Sequence, residues 1–220
     1  MSLLRLISSA RASFCRLFFA AVTISISAAI LIPRTAIAED MELKAPTVAE
    51  PESFRTDEYR KPVPATLKGA TVLTAEQASA LWSAGSAVFI DVYPHPPKPD
   101  NLPANTVWRE PTHFTIENAK WLANVGYGVL SPEVESYFKS HLEKMSGGDK
   151  AKPLVFFCLR NCWMSWNSAK RALTYGYSNV NWFSEGFDAW QEIGQQITEA
   201  KPEPLSSLGE VGTGSPRKTA

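Results

Sequence analysis

The chain has 220 residues, of which 45% are hydrophobic and 20% are charged, so it can bury one sizeable core or at most two small ones. Its 22 basic side chains balance its 22 acidic ones, and no basic block stands out. This pattern argues against nucleic acid and anionic membrane surfaces as partners.

The first 38 residues have the three-part pattern of a secretory signal peptide. A basic start is followed by an uncharged stretch over 17–33 and by small residues at 36–38, directly before Glu39. We therefore predict cleavage after Ala38 and export to the periplasm. An uncleaved N-terminal anchor is the alternative, because the apolar stretch is long for a leader.

Cleavage changes both the charge and the cysteine content. The leader carries four arginines and no acid, so 18 basic side chains remain against 22 acidic ones, and no membrane contact is expected afterwards. Cleavage also removes Cys15, which leaves Cys158 and Cys162 as the thiols of the mature chain. In an oxidising compartment, two cysteines this close should pair with each other unless something uses them.

Composition divides the mature chain into three parts. Residues 39–69 are rich in Pro, Glu, Lys and Thr without a sustained apolar period, which predicts an extended N-terminal arm. Residues 70–198 contain alternating apolar segments and are predicted to form one folded domain. Residues 199–220, which end in Gly-Ser-Pro-Arg-Lys-Thr-Ala, predict a disordered C-terminal tail.

The domain is predicted to open with a short strand and a capped helix. The strand covers 71–73. Thr74 then caps the helix, with Gln77 in the reciprocal position of a capping box, and Gly85 ends it. Local chemistry alone therefore sets both ends of this helix.

The next segments are an apolar run and a Pro-rich stretch. The run 87–92 is typical of a central strand that is covered on both faces. The stretch 93–110 is predicted to be irregular apart from a brief strand over 106–108. A short helix is expected over 116–125.

The second half of the domain continues the alternation of strands and helices. The predicted elements are a helix that starts at Ser131-Pro132, a strand over 154–157, a helix closed by Gly176, a strand over 180–183 and a helix over 187–193. Such alternation predicts an α/β fold with a mainly parallel central sheet flanked by helices on both faces.

The segment with most chemical content follows the strand over 154–157. It places Cys158 at the end of a buried strand and Cys162 in the loop that enters a helix. Ligands gather at the carboxyl ends of parallel strands, and a helix start offers unpaired N–H groups and partial positive charge. Both features favour thiolate, so we hypothesise a nucleophilic cysteine with a lowered pKa here.

Several short motifs in this order resemble a rhodanese domain over roughly residues 70–195. Phe89-Ile90-Asp91-Val92 followed by Leu102-Pro103-Ala104 is similar to its opening, and the cysteine loop followed by Ser168-Ala169-Lys170 is similar to its active-site half. Gly176-Tyr177-Ser178 and Glu185-Gly186-Phe187 are similar to its later turns. The resemblance implies a rhodanese-like α/β domain.

A narrower resemblance concerns Cys158-x-x-x-Cys162-Trp163 followed by Met164-Ser165-Trp166-Asn167. This motif is similar to that of an exported rhodanese-like family associated with quinoprotein (PQQ)-dependent alcohol catabolism. The resemblance implies a periplasmic protein partner, such as a quinoprotein dehydrogenase or its cytochrome. We expect no cofactor bound to the chain itself.

The resemblance also implies roles for individual residues. Cys162 is assigned as the attacking or persulfide-bearing thiol, and Cys158 as the resolving thiol, although counting from the strand end places Cys158 in the nucleophile position. Backbone N–H groups of a loop over residues 163–167 would cradle the sulfur, with Arg160 beside it. Asp91 is assigned a structural role, in which it caps the segment after its strand.

Residues 163–167 include no cationic side chain. A classical thiosulfate sulfurtransferase benefits from cations around its anionic donor, so that activity is doubtful. Arg160 precedes Cys162. Lys170 and Arg171 lie on the following helix, where their side chains are as well placed to point away from the cysteines as towards them. Two tryptophans in the loop favour a protein thiol or a partly apolar ligand instead.

Three functions stay open at the level of sequence. The first is sulfur transfer or thiol-disulfide exchange through Cys162 with Cys158. The second is a non-catalytic binding or maturation module with a structural disulfide. The third is a Cu(I) carrier that uses both cysteines; its available further ligands are His95, His113, His141 and Met164.

Overall fold

The computed structural model describes residues 48–96, 98–99 and 101–205. The predicted leader, residues 39–47 of the predicted arm and residues 206–220 of the predicted tail lie outside this part. Within it, no helix is both long enough and apolar enough to span a membrane.

Among the described residues, seven strands form two sheets. They are β1 (Thr71–Val72), β2 (Val88–Asp91), β3 (His113–Ile116), β4 (Lys120–Trp121), β5 (Leu154–Phe157), β6 (Val180–Phe183) and β7 (Ile197–Ala200). The central sheet has the order β1-β6-β5-β2-β4, and all its neighbours pair in parallel. The second sheet is the antiparallel pair of β3 and β7. The mainly parallel sheet predicted from sequence is therefore confirmed.

Four helices cover the two faces of the central sheet: α1 (Ala75–Ser83), α2 (Pro132–Ser146), α3 (Trp163–Thr174) and α4 (Gly186–Glu192). Alternate side chains of β5 separate the faces. Leu154 and Phe156 pack in the cluster that contains α2 and α3, while Val155 and Phe157 pack in the cluster that contains α1 and α4. Every residue of β5 is buried, as expected of a strand with helices on both sides.

Local hydrogen bonds explain where the first two helices begin. Thr74 accepts the Gln77 N–H and donates its own N–H to the Gln77 side chain, which confirms the predicted capping box. The Ser131 side chain accepts the Val134 N–H at the start of α2. Pro132 has no backbone N–H, so it leaves no unpaired donor in the first turn.

Two predicted elements are wrong. The residues over 106–108 form no strand, and residues 116–125 contain the end of β3 and the short β4 instead of a helix. Asn118 and Asn124 both have a φ of 67°, a left-handed conformation that does not occur inside an α-helix. The large apolar residues of this segment are buried, but consecutive turns and not a helix place them in the core.

The C-terminal end of the fold extends beyond its predicted boundary at residue 198. β7 continues to Ala200, and the Glu203 N–H donates to the Trp121 carbonyl at 2.9 Å. The Tyr137 hydroxyl in turn donates to the Glu203 carbonyl at 3.0 Å. Residues 199–203, predicted as tail, therefore belong to the folded domain, because β3 pairs with the strand up to Ala200 and Trp121 and Tyr137 bind the backbone of Glu203.

The described part of the N-terminal arm, residues 48–69, has no helix or strand. It nevertheless packs along the domain. Leu67 is a buried member of the larger core cluster, and Val48, Tyr59 and Val63 pack against that cluster. This arm is therefore an ordered part of the domain surface.

Candidate functional site

The two cysteines lie where the sequence predicted, at a strand end and a helix start. Cys158 directly follows β5, and Cys162 is the N-cap residue of α3. A disulfide joins them, with their Cα atoms 6.1 Å apart. It connects the carboxyl edge of the parallel sheet to the helix that follows.

Both cysteines are sealed from solvent. Each is only 2% exposed, and both belong to the larger core cluster. The Phe187 N–H donates to the Cys158 carbonyl at 2.7 Å, and the Trp163 N–H donates to the Tyr59 carbonyl at 2.9 Å. The sheet, α4 and the arm thus contribute to closing the site.

The predicted cradle over residues 163–167 is not a loop. These residues form the first turns of α3. Their N–H groups beyond the first turn therefore donate to carbonyls within the helix and are not left for a ligand. Of the first-turn donors, that of Trp163 is taken by the arm. The predicted sulfur-binding cradle is therefore corrected to a helix start whose first donor is already satisfied.

The side chains of this turn pack inward or against the arm. Ser165 donates to the Cys162 carbonyl at 3.0 Å and accepts from the Trp182 indole at 3.0 Å. Trp166 donates to the Thr66 carbonyl of the arm at 3.2 Å. All five residues, Trp163, Met164, Ser165, Trp166 and Asn167, are buried, so they do not line an open ligand pocket.

Gly126 permits the close approach of α3 to the segment beside it. A Cβ atom at Gly126 would lie 2.5 Å from the Cβ of Met164, closer than side-chain packing allows. Asn167 donates to the Gly126 carbonyl at 2.9 Å. The absence of a side chain at Gly126 is therefore what permits this packing.

None of the three cations near the cysteines is free for an anionic sulfur donor. Arg160 binds Glu192 through two hydrogen bonds of 2.8 and 2.6 Å, and its backbone N–H donates to Asp188. Lys170 donates to the Pro51 carbonyl at 2.8 Å. In this structure, other groups of the chain thus engage Arg160 and Lys170.

Arg171, the third of these cations, is built into the domain. Its guanidinium donates to the carbonyls of Val125, Tyr127 and Gly128 at 2.9 to 3.0 Å, and burial lowers its pKa from the ordinary arginine value. It also lies over the ring of Phe54 in the arm, with 4.2 Å to the ring centroid. Arg171 thus holds several loops together.

Asp91, to which the sequence assigns a capping role, also has two side-chain partners that the sequence did not predict. Its carboxylate accepts the Tyr93 N–H at 2.8 Å, the Thr115 hydroxyl at 2.7 Å and the His113 Nε2 at 2.7 Å. The signal was available, since His113 and Thr115 alternate along the sequence and lie on one face of a strand. The predicted elements, an irregular stretch over 93–110 and a helix over 116–125, left this strand unassigned.

A cavity of about 570 Å³ lies beside this carboxylate, at the carboxyl edge of the sheet. The cavity lies between the Cys158–Cys162 loop, of which Leu159 lines it, and the segment around His113. Its lining is mainly aromatic and aliphatic: Tyr93, Pro94, His95, Pro96, Pro111, Thr112, His113, Phe114, Trp121, Leu159, Phe187, Gln191 and Ile197. This is the region where open α/β sheets bind ligands.

The candidate copper ligands are not assembled. His113 is bound to Asp91, His95 lies 3.2 Å from Glu110, and His141 Nδ1 lies 3.0 Å from the Tyr137 carbonyl. Over residues 48–96, 98–99 and 101–205, no three His, Cys, Asp or Glu side chains group as a metal site. With both sulfurs in a disulfide, the pair offers no thiolate to a soft metal ion.

Three solved structures are similar to this chain at low sequence identity. The thiosulfate sulfurtransferase of Pseudomonas aeruginosa has 16% identity and a TM-score of 0.40; the match covers 60% of this chain and 21% of that one. A rhodanese-like domain from Anabaena has 11% identity and a TM-score of 0.37, with 67% and 90% covered. The polysulfide-sulfur transferase homodimer of Wolinella succinogenes has 22% identity and a TM-score of 0.37, with 59% and 79% covered.

The chain spans about a fifth of the length of the Pseudomonas enzyme. No protein-family model matches it, and no curated protein matches it. The fold class rests on the molecule itself: a five-stranded parallel sheet with helices on both faces, and a cysteine pair at its carboxyl edge.

Proposed function

We propose that this chain is an exported, non-catalytic binding module on a rhodanese-like scaffold, in which the Cys158–Cys162 disulfide is structural. The observation that carries the proposal is the burial of both cysteines, each 2% exposed while joined. Thiol-disulfide exchange requires an attacking thiolate to reach one sulfur atom. A sealed disulfide gives such a thiolate no approach.

The disulfide links two elements of the fold. It fastens the end of β5 to the start of α3 across a turn in which Asn161 has a φ of 56°. Two contacts with α4, the Arg160 N–H to Asp188 and the Arg160 guanidinium to Glu192, hold the same turn from outside. Since the closed loop is short, its entropic contribution to stability is about 2 kcal/mol.

The proposed location and partner rest on sequence. A leader cleaved after Ala38 would deliver the domain to the periplasm, an oxidising compartment in which a disulfide persists. The Cys158-x-x-x-Cys162-Trp163 motif supports a periplasmic protein partner, such as a quinoprotein dehydrogenase of PQQ-dependent alcohol oxidation or its cytochrome. The module would bind that partner or assist its maturation.

A second candidate function, sulfur transfer or thiol-disulfide exchange, is favoured by the position of Cys162. As the N-cap of a 12-residue helix it would have its thiolate stabilised by the helix dipole once the disulfide is reduced. Cys162 would then attack and Cys158 would resolve. This chemistry requires the arm to leave the start of α3, because the arm contacts that turn directly.

The two functions are separated by labelling thiols in protein purified from the periplasm with its disulfide intact. For a structural disulfide, we expect labelling only after unfolding, and a reduction potential below about −300 mV. Intact mass and metal content are measured on the same sample. A disulfide reduced readily in the folded protein, or an intact mass heavier by one sulfur atom, would overturn the structural role and establish thiol chemistry.

Single variants complete the comparison. Cys158→Ser and Cys162→Ser are expected to bind the partner as the unmodified protein does, provided that circular dichroism shows them folded. Loss of partner function in both folded variants would contradict the proposal. Copper bound in equimolar amount by the reduced protein, and lost in Cys162→Ser, would instead support the carrier.

A further inference from the structure

We propose that the cavity at the carboxyl edge of the sheet is a binding site for an uncharged aromatic compound that carries a hydroxyl group. The cavity is the one bordered by Tyr93, His113, Trp121, Leu159 and Ile197. This small-molecule site goes beyond the proposed protein-binding role.

The size and place of the cavity suit a small ligand. Its volume of about 570 Å³ lies within the range of roughly 300–1,000 Å³ found for small-molecule pockets. It opens beside the ends of β2 and β4, since Tyr93 follows β2 and Trp121 ends β4. Ligands of open α/β sheets bind at this edge.

The walls favour a flat ring. The rings of Tyr93 and His113 are stacked, with centroids 5.1 Å apart and planes at 12°. The Trp121 ring lies 4.1 Å from the His113 ring, and the Trp121 indole is fixed by a hydrogen bond of 2.7 Å to the Tyr93 carbonyl. Such a rigid aromatic group provides faces and edges for a further ring at little entropic cost.

The charges of the site favour an uncharged ligand. The described residues that line the cavity include no Asp, Glu, Lys or Arg. The acids next to it are already engaged: Asp91 binds His113, and Glu110 lies 3.2 Å from His95. An ion entering this cavity would lose its hydration without gaining a charged partner, which is unfavourable.

The dyad of Asp91 and His113 selects for a hydrogen-bond donor. Asp91 is 2% exposed and accepts from the Thr115 hydroxyl and the Tyr93 N–H. The His113 Nε2 lies 2.7 Å from the same carboxylate, which matches the imidazole tautomer that carries its hydrogen on Nε2. In that tautomer the other nitrogen, Nδ1, is an acceptor, and the matching group on a ligand is a hydroxyl.

A pair of probes tests this assignment: 4-methylphenol and its methyl ether, 4-methylanisole, which has the same ring without the donor. We expect calorimetry on the exported chain to show 4-methylphenol binding about tenfold more tightly, as one hydrogen bond to a buried acceptor allows. Equal affinities, or no binding of either probe, would overturn the proposal.

Variants locate the site. His113→Phe keeps a ring beside Tyr93 and Trp121 and is expected to bring the two affinities together, while Ile197→Trp fills the cavity and abolishes both. Val129→Ala is the control, because Val129 is 79% exposed and does not line the cavity. An unchanged preference in folded His113→Phe contradicts the proposal; if that variant does not fold, the two probes on the unmodified chain still decide.

Discussion

The side chain of Asn167 is hydrogen-bonded to both backbone groups of Arg55, a residue 112 positions earlier in the chain. The Arg55 N–H donates to Asn167 Oδ1 at 2.9 Å, and Asn167 Nδ2 donates to the Arg55 carbonyl at 2.8 Å. An amide side chain thus pairs with the arm as a neighbouring strand would. The residue that sequence resemblance placed in a sulfur-binding loop instead holds the arm against the domain.

This pairing predicts that Asn167 controls the attachment of the arm. Asn167 is 0% exposed, so Asn167→Ala leaves buried backbone groups of Arg55 and Gly126 without partners and should destabilise the protein by about 3 kcal/mol in urea denaturation. Trypsin should also cleave faster after Arg60 of the loosened arm. Asn105→Ala, at an exposed turn position, is the control and should change neither; an equal effect there would refute the role.

The cysteines are expected to behave as one structural unit in stability measurements. Cys158→Ser and Cys162→Ser should each lower the free energy of unfolding by about 2 kcal/mol, the contribution of a short disulfide loop, plus the cost of burying a hydroxyl. The double variant should cost less than the sum of the two single ones, because the same bond is lost only once. Urea denaturation with and without reductant measures this. Additive losses would show that the two residues act separately.

The regular elements of the fold were predictable because their signals are local. The capping box of Thr74 and Gln77, the Ser131-Pro132 start and the buried runs of β5 and β6 each occupy a few consecutive residues. The placement of the cysteines followed from the same signals. A thiol that directly follows a buried strand must lie at the carboxyl edge of the sheet.

What could not be predicted depends on contacts between distant segments. β3 is a strand because β7, some eighty residues later and with its last two residues predicted as tail, supplies its backbone partners. The first turns of α3 were predicted as a loop because the resemblance implied one there, and their residues, polar as well as apolar, are buried. An isolated amphipathic helix would show a polar face, but here the arm covers that face, and nothing in the local periodicity of α3 indicates this.

The Asp91 network predicts unequal effects at two neighbouring threonines. Thr115 is 0% exposed and donates to the Asp91 carboxylate at 2.7 Å, so Thr115→Val should destabilise the protein by about 2 kcal/mol, as the loss of a hydrogen bond to a charged group does. Thr112 is exposed, and Thr112→Val should change stability by less than about 0.5 kcal/mol. Urea denaturation of both variants tests the pair; equal effects would show that the Asp91 contact contributes nothing.

Alkaline pH should weaken the packing of α2 against α3. Burial and the charge of the neighbouring Glu135 carboxylate raise the pKa of Tyr175 to about 12. Burial and the charge of Glu203 likewise raise the pKa of Tyr137. In the unfolded chain both phenols lose their protons near pH 10. The folded state therefore binds more protons above that pH, and its stability should fall as the pH rises from about 10 towards 12.

Urea midpoints at several pH values, with phenolate absorbance followed in parallel, measure this loss. Tyr175→Phe keeps the ring against Phe138 but has no proton to lose, so it should reduce the fall in stability between pH 10 and pH 12. Tyr137→Phe should do the same, and the double variant should reduce it further. A fall of unchanged steepness in the double variant would show that burial of these two hydroxyls does not set the alkaline limit.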